Sequence, residues 1–218
     1  MFLEVPDLLT ADEVARLRQM AESARFVDGK MSNPASIKNN LQQDPADPAY
    51  RTSSALVHAA MMRNARVNDF TLAAKILPPL LTRHEVGMNY GLHADNAFMS
   101  PPPQTFRADI SCTVFLSDPG RYEGGELCVH LGTRAVLFKM PPGGAIFYPS
   151  STLHEVRPVT SGQRLVAITF IESQIASNPH REMLYELGEV LTQDGQALQW
   201  QNRVKLSVVR QALIREWS

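Results

Sequence analysis

Cysteine is nearly absent from this sequence, as are long apolar runs and any excess of charge of one sign. Both cysteines, Cys112 and Cys128, lie in apolar, strand-like stretches. Two cysteines are too few for the disulfide framework of a small secreted domain, so reduced and buried thiols are expected. The first residues include acids and a proline, where a signal peptide needs a basic start and an unbroken apolar run. We therefore expect a cytoplasmic protein.

No apolar stretch approaches the roughly 20 residues that span a bilayer. The formal net charge is only −1, which gives no broad attraction to phosphate backbones or anionic lipids. Nucleic acid and membrane surfaces are therefore not expected as partners. The chain does have 218 residues, of which 44% are apolar, and this is enough to bury a substantial core in one main domain.

The apolar pattern divides the chain into three parts. It is helical at first: Thr10 and Glu13 form a capping box ahead of one helix, and a second helix is predicted near 54–69. Short apolar runs punctuated by glycine and proline follow, which is typical of an antiparallel sandwich or barrel. Helical spacing then returns. The predicted parts are a domain of residues 1–174, with N-terminal helical support at 1–79 and a β-rich core at about 80–174, and a C-terminal helical extension at 175–218, with helices near 178–192 and 202–217.

Seven strands are predicted in the β-rich core, near residues 82–94, 107–117, 125–131, 134–139, 144–148, 153–157 and 164–173. In the second of these, the residues alternate between apolar Ile110, Cys112 and Val114 and polar Ser111 and Thr113. One face of this strand is expected to pack against helices, while the other could line a polar cavity. The apolar stripes of the C-terminal helices fit either packing against the core or a contact between two copies of the chain. The second interpretation predicts a homodimer.

The stretch NYGLHADNAF, residues 89–98, places His93 and Asp95 two positions apart at the end of an apolar strand. In an extended chain, residues i and i+2 project from the same face, so both side chains can reach one divalent metal ion. The pair alone is also explained by a histidine hydrogen-bonded to a nearby carboxylate, which is an ordinary structural arrangement.

A third candidate ligand, His154, lies at the start of a predicted strand at the far end of the β-rich core. Two ligands near one strand and a third from a distant antiparallel strand form a two-histidine, one-carboxylate face, which is diagnostic of non-haem Fe(II) oxygenases. Zinc is more often held tetrahedrally by histidine and cysteine, and neither cysteine lies at a ligand-like spacing. His58, His130 and His180 have no convergent partners and are expected to be surface or satisfied residues.

Arg164 enters an apolar strand ten residues after His154. Burying a guanidinium group is costly unless it meets an anion, and its planar fork matches a carboxylate in bidentate fashion. Arg164 is therefore a candidate anion-binding residue, with a fixed, surface-facing arginine as the alternative.

Four stretches together resemble the PKHD-type hydroxylases, relatives of prolyl 4-hydroxylase among the Fe(II)/2-oxoglutarate dioxygenases: HADN, ADISCTVFLSDPGRYEGGEL, GGAIFYPSSTLHEVRPVTSGQR and AITFIESQ. The similarity covers about residues 80–174, and the helical segments on both sides are compatible with it. It implies a fold that is mainly β with flanking helices, built on a cupin-like double-stranded β-helix, or jelly roll. It also implies that His93, Asp95 and His154 hold Fe(II). The distal carboxylate of 2-oxoglutarate would lie on Arg164.

One position departs from the family pattern. In prolyl-hydroxylase relatives, Tyr-x-x-Gly-x-x-Tyr-x-x-His-x-Asp often leads into the metal pair, and its first tyrosine can help hold the co-substrate. Here HEVGMNYGLHAD has His84 in that place, with Gly87 and Tyr90 retained. His84 is either a substitute donor to 2-oxoglutarate or a core histidine, and Tyr90 either touches the co-substrate or packs.

The resemblance implies a 2-oxoglutarate-dependent dioxygenase that hydroxylates an amino acid, a peptide or a small metabolite, consumes dioxygen and releases succinate and CO2. L-ascorbate is a candidate additional cofactor. The competing interpretation is a non-catalytic jelly-roll module that binds metal for sensing or binding. Substrate specificity is expected to reside in loops 28–53 and 96–106. The first of these is polar and rich in proline, which fits either an exposed connection or a flap over the site.

Overall fold

The computed structural model describes residues 1–32, 37–99 and 105–218. The helices found in these ranges are α1 (Ala11–Ser23), α2 (Pro48–Arg63), α3 (Ala65–Thr71), α4 (Asn178–Gln193) and α5 (Trp200–Trp217), with short 3-10 helices at Gly29–Ser32 and Pro119–Arg121. The strands in the same ranges are β1 (Leu3–Val5), β2 (Phe26–Asp28), β3 (Lys38–Asn39), β4 (Leu41–Gln43), β5 (Ala73–Ile76), β6 (Leu80–His84), β7 (Asn89–His93), β8 (Phe98–Met99), β9 (Phe106–Arg107), β10 (Ile110–Phe115), β11 (Tyr122–Gly124), β12 (Leu127–Leu131), β13 (Arg134–Phe138), β14 (Ala145–Pro149), β15 (His154–Val156), β16 (Val159–Gly162) and β17 (Arg164–Ser173).

Eight strands form one antiparallel sheet, here called the major sheet, in the order β1-β14-β10-β17-β6-β4-β2, with β5 beside β17. Helices α1 to α3 cover one of its faces, where Leu17 of α1 and Met61 of α2 are fully buried. The apolar residues of β10 join this core: Ile110 and Cys112 pack on the helix side, as the alternation predicted.

Five strands form a second antiparallel sheet, here called the minor sheet, in the order β13-β12-β15-β7-β3. Its inner face packs against the other face of the major sheet, through Val129 on β12 and Ile146 and Val166 on the major sheet. The two facing sheets with helices outside them confirm the predicted mainly β fold with flanking helices. The apolar side chains between the two sheets fill only part of the space there. The remaining space is a cavity, and the candidate site lies in it.

The capping box at the start of α1 is confirmed. The backbone N–H of Glu13 donates to Thr10 Oγ1 at 3.3 Å, and the backbone N–H of Thr10 donates to the Glu13 carboxylate at 2.9 Å. Arg63 at the end of α2 also binds Glu13, and these hydrogen bonds lower the pKa of Glu13 to about 2. The box thus joins α1 to α2 as well as starting the helix.

The interpretation of 28–53 as a loop is wrong for most of its described residues. β3 pairs with β7, β4 pairs with β6, and α2 already begins at Pro48. The segment has a polar composition although several of its side chains are buried, because Lys38, Asn40 and Gln42 face the cavity between the two sheets rather than solvent. Residues 33–36 of this segment, and residues 100–104 of the predicted loop 96–106, lie outside the described residues.

Two other predicted elements have different bounds in the structure. The helix predicted near 54–69 is two helices, because Asn64 ends α2 and caps α3 through its side chain. The strand predicted near 82–94 is β6 and β7, which belong to different sheets. The chain changes sheets at Gly87, whose φ of +83° is a conformation that favours glycine.

The C-terminal helices form close to their predicted positions. The ring of Tyr185 on α4 meets the edge of the Phe70 ring on α3 at 5.3 Å, so α4 is attached to the domain core. Arg210 of α5 bonds Asp69 on α3, but none of the side chains of α5 is buried. Within the described residues, no helix has both the length and the apolar character to cross a membrane. The predicted homodimer stays a prediction.

Candidate active site

The minor sheet brings the three candidate metal ligands together. β7 ends at His93, Asp95 lies two residues beyond it, and β15 begins at His154, which pairs with His93 across the sheet. Nε2 of His93 lies 3.8 Å from one carboxylate oxygen of Asp95, and Nε2 of His154 lies 3.7 Å from the other. One potential ligand atom from each residue lies within 4.8 Å of the other two.

Backbone carbonyl groups fix which nitrogen of each histidine faces the site. Nδ1 of His93 donates to the Gly91 carbonyl at 2.7 Å, and Nδ1 of His154 donates to the Thr152 carbonyl at 2.9 Å. Each Nε2 therefore keeps its lone pair. Nε2 of His93 is buried without a hydrogen-bond partner among the described residues. Such an acceptor is costly without a partner, and two imidazoles with one carboxylate fit Fe(II).

The Asp95 carboxylate is held by a short serine relay. Ser111 Oγ on β10 donates to Asp95 Oδ2 at 2.6 Å, and Ser150 Oγ lies 2.8 Å from Ser111 Oγ. The backbone N–H of Asp95 donates to the Ser150 carbonyl at 3.1 Å. The carboxylate is thereby oriented by the major sheet while the histidines belong to the minor sheet. Burial, followed by the nearby His154, lowers the pKa of His93, which favours the neutral form that binds metals.

Tyr90 packs on the candidate metal site. Its ring is stacked on the His93 imidazole, with centroids 3.7 Å apart and planes inclined by 19°. The amine of Lys38 lies 5.8 Å from the centroid of the same tyrosine ring. Tyr90 therefore restrains the orientation of His93, and it also lines the cavity in which a co-substrate would lie.

Arg164 begins β17 and is buried with only 2% of its surface exposed. Within the described part of the chain, no salt bridge joins it to a carboxylate, and its Nε is buried without a hydrogen-bond partner. Burial lowers the pKa of Arg164, and the hydroxyl groups of Tyr122 and Tyr148 partly offset this effect. Gly125, with a φ of +66°, makes room for the guanidinium stem, because a Cβ there would lie 3.1 Å from Arg164 Cδ.

His84 lies beside Arg164, since the two residues are paired across β6 and β17. Nδ1 of His84 is 3.4 Å from a guanidinium nitrogen, which can only donate, so Nδ1 accepts and the proton sits on Nε2. Nε2 lies 3.4 Å from the Asn40 carboxamide, whose oxygen is otherwise buried without a partner. If the oxygen and nitrogen of the Asn40 carboxamide exchange positions, the oxygen accepts the hydrogen bond from His84 Nε2–H. Burial, Arg164 and Lys38 hold the pKa of His84 well below its usual value.

A cavity of about 720 Å³ lies between the two sheets. Its lining includes the three candidate metal ligands, Arg164, His84 and Tyr90. Among the described residues that line it, the charged ones apart from the histidines are Lys38, Asp95 and Arg164. The structure thus brings together every site residue that the sequence singled out.

The sequence reasoning missed several cavity residues, among them Lys38, Asn40 and Gln42. They lie at alternate positions of one extended segment, so their side chains share a face. The alternation of these polar residues was the available signal for a strand. It differs from the usual signal, which is an alternation of apolar residues. Tyr148 is also buried in the cavity wall, where its ring meets the edge of the His154 ring at 5.1 Å.

The expectation that His130 has no convergent partners is wrong. Its Nε2 lies 3.7 Å from Cys128 Sγ and 3.5 Å from Glu155 Oε1. The expectation that neither cysteine has a ligand-like spacing is also wrong, because Cys128 lies next to His130 and Glu155. His180 stacks on Trp217 with ring centroids 4.0 Å apart, so its ring packs between the two C-terminal helices.

Comparison with known proteins agrees with this geometry. The 2OG-Fe(II) oxygenase superfamily model matches residues 79–172. A PKHD-type hydroxylase of Sphingopyxis alaskensis is 49% identical over 211 residues, covering 96% of this chain and 96% of that protein. Among solved structures, a Trichoplax adhaerens prolyl hydroxylase in complex with a hypoxia inducible factor peptide fragment has a TM-score of 0.58 at 15% identity, covering 79% of this chain and 84% of that chain. HygX from Streptomyces hygroscopicus, with nickel and 2-oxoglutarate bound, has a TM-score of 0.56 at 16% identity, covering 77% and 81% respectively.

The solved structures confirm the jelly-roll fold. The family match and the relatives confirm an Fe(II)- and 2-oxoglutarate-dependent dioxygenase of the hydroxylase class, which uses dioxygen and a substrate that is not identified. They give no support to the non-catalytic module. With 49% identity over 96% of its length, the chain belongs to the PKHD-type hydroxylases.

Proposed function

We propose that His93, Asp95 and His154 hold the Fe(II) of this dioxygenase. The observation that carries the proposal is the fixed tautomer of both histidines, because it directs two Nε2 lone pairs and one carboxylate into the same small space. Two imidazoles and one carboxylate would hold the ion from one side and leave room on it for the co-substrate. Ser111 would keep the carboxylate in place, and Tyr90 would hold the His93 ring against rotation.

Arg164 is proposed to bind the distal carboxylate of 2-oxoglutarate. Its support is a buried guanidinium group, with an unsatisfied Nε, in the same cavity as the metal ligands. A bidentate carboxylate would satisfy that group better than any contact within the described residues. His84 is proposed as a positioning residue for Arg164 rather than as a direct donor, since both of its ring nitrogens are engaged by Arg164 and Asn40. A direct contact of Tyr90 with the co-substrate stays a prediction.

When bound, Fe(II) and 2-oxoglutarate supply the oxidation, in which one oxygen atom of O2 enters the substrate as a hydroxyl group and the other enters succinate, with release of CO2. The chain supplies the binding groups and their orientation. Arg164 and the serine relay would fix the positions of the anionic groups in the cavity between the facing sheets.

The substrate is proposed to be an amino acid, a peptide or a small metabolite that enters the part of the cavity bordered by Tyr50, Phe98 and Met99. The peptide complex of the Trichoplax enzyme supports the peptide option. The weak net charge supports an enzyme that binds neither nucleic acid nor membrane surfaces. A cytoplasmic location stays a prediction. The exposed valines of α5, Val204 and Val208, support a homodimer through the C-terminal helices. L-ascorbate stays a candidate additional cofactor.

The proposed domain division follows the same elements. Residues 1–174 are proposed as the dioxygenase domain, with the jelly-roll core at about 80–174 and helical support at 1–79. This core agrees with the extent of the superfamily match, 79–172. Residues 175–218 are proposed as a helical extension, which contains α4 and α5.

Replacement of single ligands tests the iron site. Asp95→Ala and His154→Ala should each abolish Fe(II)-dependent formation of succinate from 2-oxoglutarate, because each removes one ligand from a set of three. Succinate would be measured with purified protein, Fe(II), ascorbate and O2, so that uncoupled turnover is detected without knowing the substrate. His58→Gln, an exposed histidine on α2, is the matched control and should keep the wild-type rate. Wild-type succinate formation by either ligand variant would refute the assignment.

A further inference from the structure

A second cluster of potential metal ligands lies on the back of the minor sheet. Cys128 and His130 are two residues apart on β12, so their side chains leave the same face. Glu155 on β15 is directly opposite Cys128 in the antiparallel register. The neighbours Leu127 and Val129 point into the core between the sheets, which places the cluster on the opposite, outer face.

The distances within the cluster match the separations expected between ligands of one ion, and the His130–Glu155 contact is longer than a usual hydrogen bond. Cys128 Sγ lies 3.7 Å from His130 Nε2, which lies 3.5 Å from Glu155 Oε1. Hydrogen bonds from nitrogen to oxygen are usually about 2.9 Å long. Zinc bonds of about 2.3 Å to sulfur and about 2.0 Å to nitrogen and oxygen separate tetrahedral ligand atoms by about 3.5 Å. The three atoms also lie within 4.8 Å of one another.

The chemistry of the donor set selects the type of ion. A thiolate with an imidazole favours zinc and similar transition metals over magnesium or calcium, which prefer oxygen ligands. A dication bound to one thiolate and one carboxylate forms a neutral group, so its partial burial carries little cost in charge. The Cys128 side chain is buried, whereas those of His130 and Glu155 are about one third exposed, so an ion can enter from their side.

We propose that Cys128, His130 and Glu155 form a second divalent-metal site, of the zinc class, with a water molecule as the fourth ligand. On binding, the sulfur–metal bond replaces the S–H bond of Cys128 and the proton passes to solvent. Because the thiol must lose this proton to bind the ion, metal affinity should increase with pH.

The site shares a strand with the proposed iron centre but not its cavity. His154 and Glu155 are consecutive on β15, so their side chains leave opposite faces of the minor sheet. An ion at the second site would link β12 to β15 on the outer face of the minor sheet. It would add to the stability of the strand pair without contacting His154. The second site therefore stands apart from the proposed function, and either assignment can fail without the other.

Cobalt(II) titration of the full-length, metal-free protein tests the site. Co(II) bound to a thiolate gives a sulfur-to-metal charge-transfer band, which a site of two histidines and one aspartate cannot give. We expect this band in the wild type, its loss in Cys128→Ser, and at least a tenfold weaker affinity in His130→Gln and Glu155→Gln, since loss of even an outer partner costs about 10–100-fold. Zn(II) should then displace the cobalt and remove the band.

Matched controls separate this site from a lone thiol and from misfolding. His58→Gln should keep the band at the wild-type affinity, and all variants should unfold at similar temperatures without metal. His130→Gln and Glu155→Gln should also keep Fe(II)-dependent succinate formation, because neither lies in the proposed iron site. Absence of the band in the wild type would overturn the proposal. So would wild-type Co(II) affinity in both His130→Gln and Glu155→Gln, because the ion would then be held by sulfur alone.

Discussion

Replacing Arg164 tests how 2-oxoglutarate is held. The guanidinium group is buried and its Nε lacks a partner, so a carboxylate in the cavity would meet a pre-positioned fork. Each hydrogen bond to a charged group contributes about 1.5–3 kcal/mol, so two parallel bonds contribute about 3–6 kcal/mol. Arg164→Met removes both bonds at similar volume. At about 1.4 kcal/mol per tenfold change, the Kd of 2-oxoglutarate should rise about 100-fold to 10,000-fold.

Arg164→Lys tests the positive charge separately from the two parallel hydrogen bonds of the guanidinium group. Lysine keeps the positive charge but cannot form the two parallel bonds of a guanidinium group. Loss of one bond, about 1.5–3 kcal/mol, corresponds to a Kd roughly 10–100-fold above that of the wild type. The affinities should therefore decrease in the order arginine, lysine, methionine.

The assay is isothermal titration of 2-oxoglutarate into protein loaded with Mn(II) without oxygen, so that binding is measured without turnover. Arg134→Met is the matched control, because Arg134 is an exposed arginine on β13 outside the cavity lining, and it should leave the Kd unchanged. A Kd for Arg164→Met less than about tenfold above the wild type, or about 1.4 kcal/mol, would place the co-substrate anion elsewhere. Equal losses in the lysine and methionine variants would refute the bidentate contact.

Two further substitutions test the groups around the site. The folded state keeps His84 neutral because burial, Arg164 and Lys38 depress its pKa, while the unfolded chain takes up a proton below about pH 6.5. Stability should thus fall as the pH drops through this range, by up to about 1.4 kcal/mol per pH unit, and His84→Gln should remove that part of the slope in denaturant unfolding of metal-free protein. An unchanged slope between the two proteins would contradict a buried, neutral His84. Ser111→Ala leaves Asp95 without its hydroxyl donor and should weaken Fe(II) activation of succinate formation about 10–100-fold, whereas an unaltered Fe(II) dependence would show that the relay does not orient the ligand.

The parts of the fold that the sequence predicted well are those in which local pattern and tertiary environment agree. Ile110 and Cys112 face the helices and Ser111 faces the cavity because β10 lies between two different surfaces, and a period of two expresses this directly. The start of α1 was predicted because Thr10 and Glu13 satisfy its first backbone N–H groups by themselves. Neither prediction required knowledge of a distant residue.

The contacts that were missed depend on register between distant strands. His84 and Arg164 are 80 positions apart and meet only because β6 pairs with β17 in one register. Glu155 completes the cluster on the minor sheet for the same reason, although it is next to the recognised His154. Lys38 was assigned to a loop for another reason. A strand whose polar side chains line a cavity shows no apolar alternation, so it has the composition of a loop.

The proposed metal ligands and Arg164 line the same cavity, so the charges of the two proposed ligands affect each other there. Lys38 and Arg164 are positive and Asp95 is negative, so these lining residues carry one net positive charge. Either Fe(II) or 2-oxoglutarate alone would change this charge by two units, in a space where charges are poorly screened. Both together leave it unchanged, so each should favour binding of the other. In the proposed assignment, Asp95 would hold the cation and Arg164 the dianion, so the charges of the two ligands would compensate each other inside the fold.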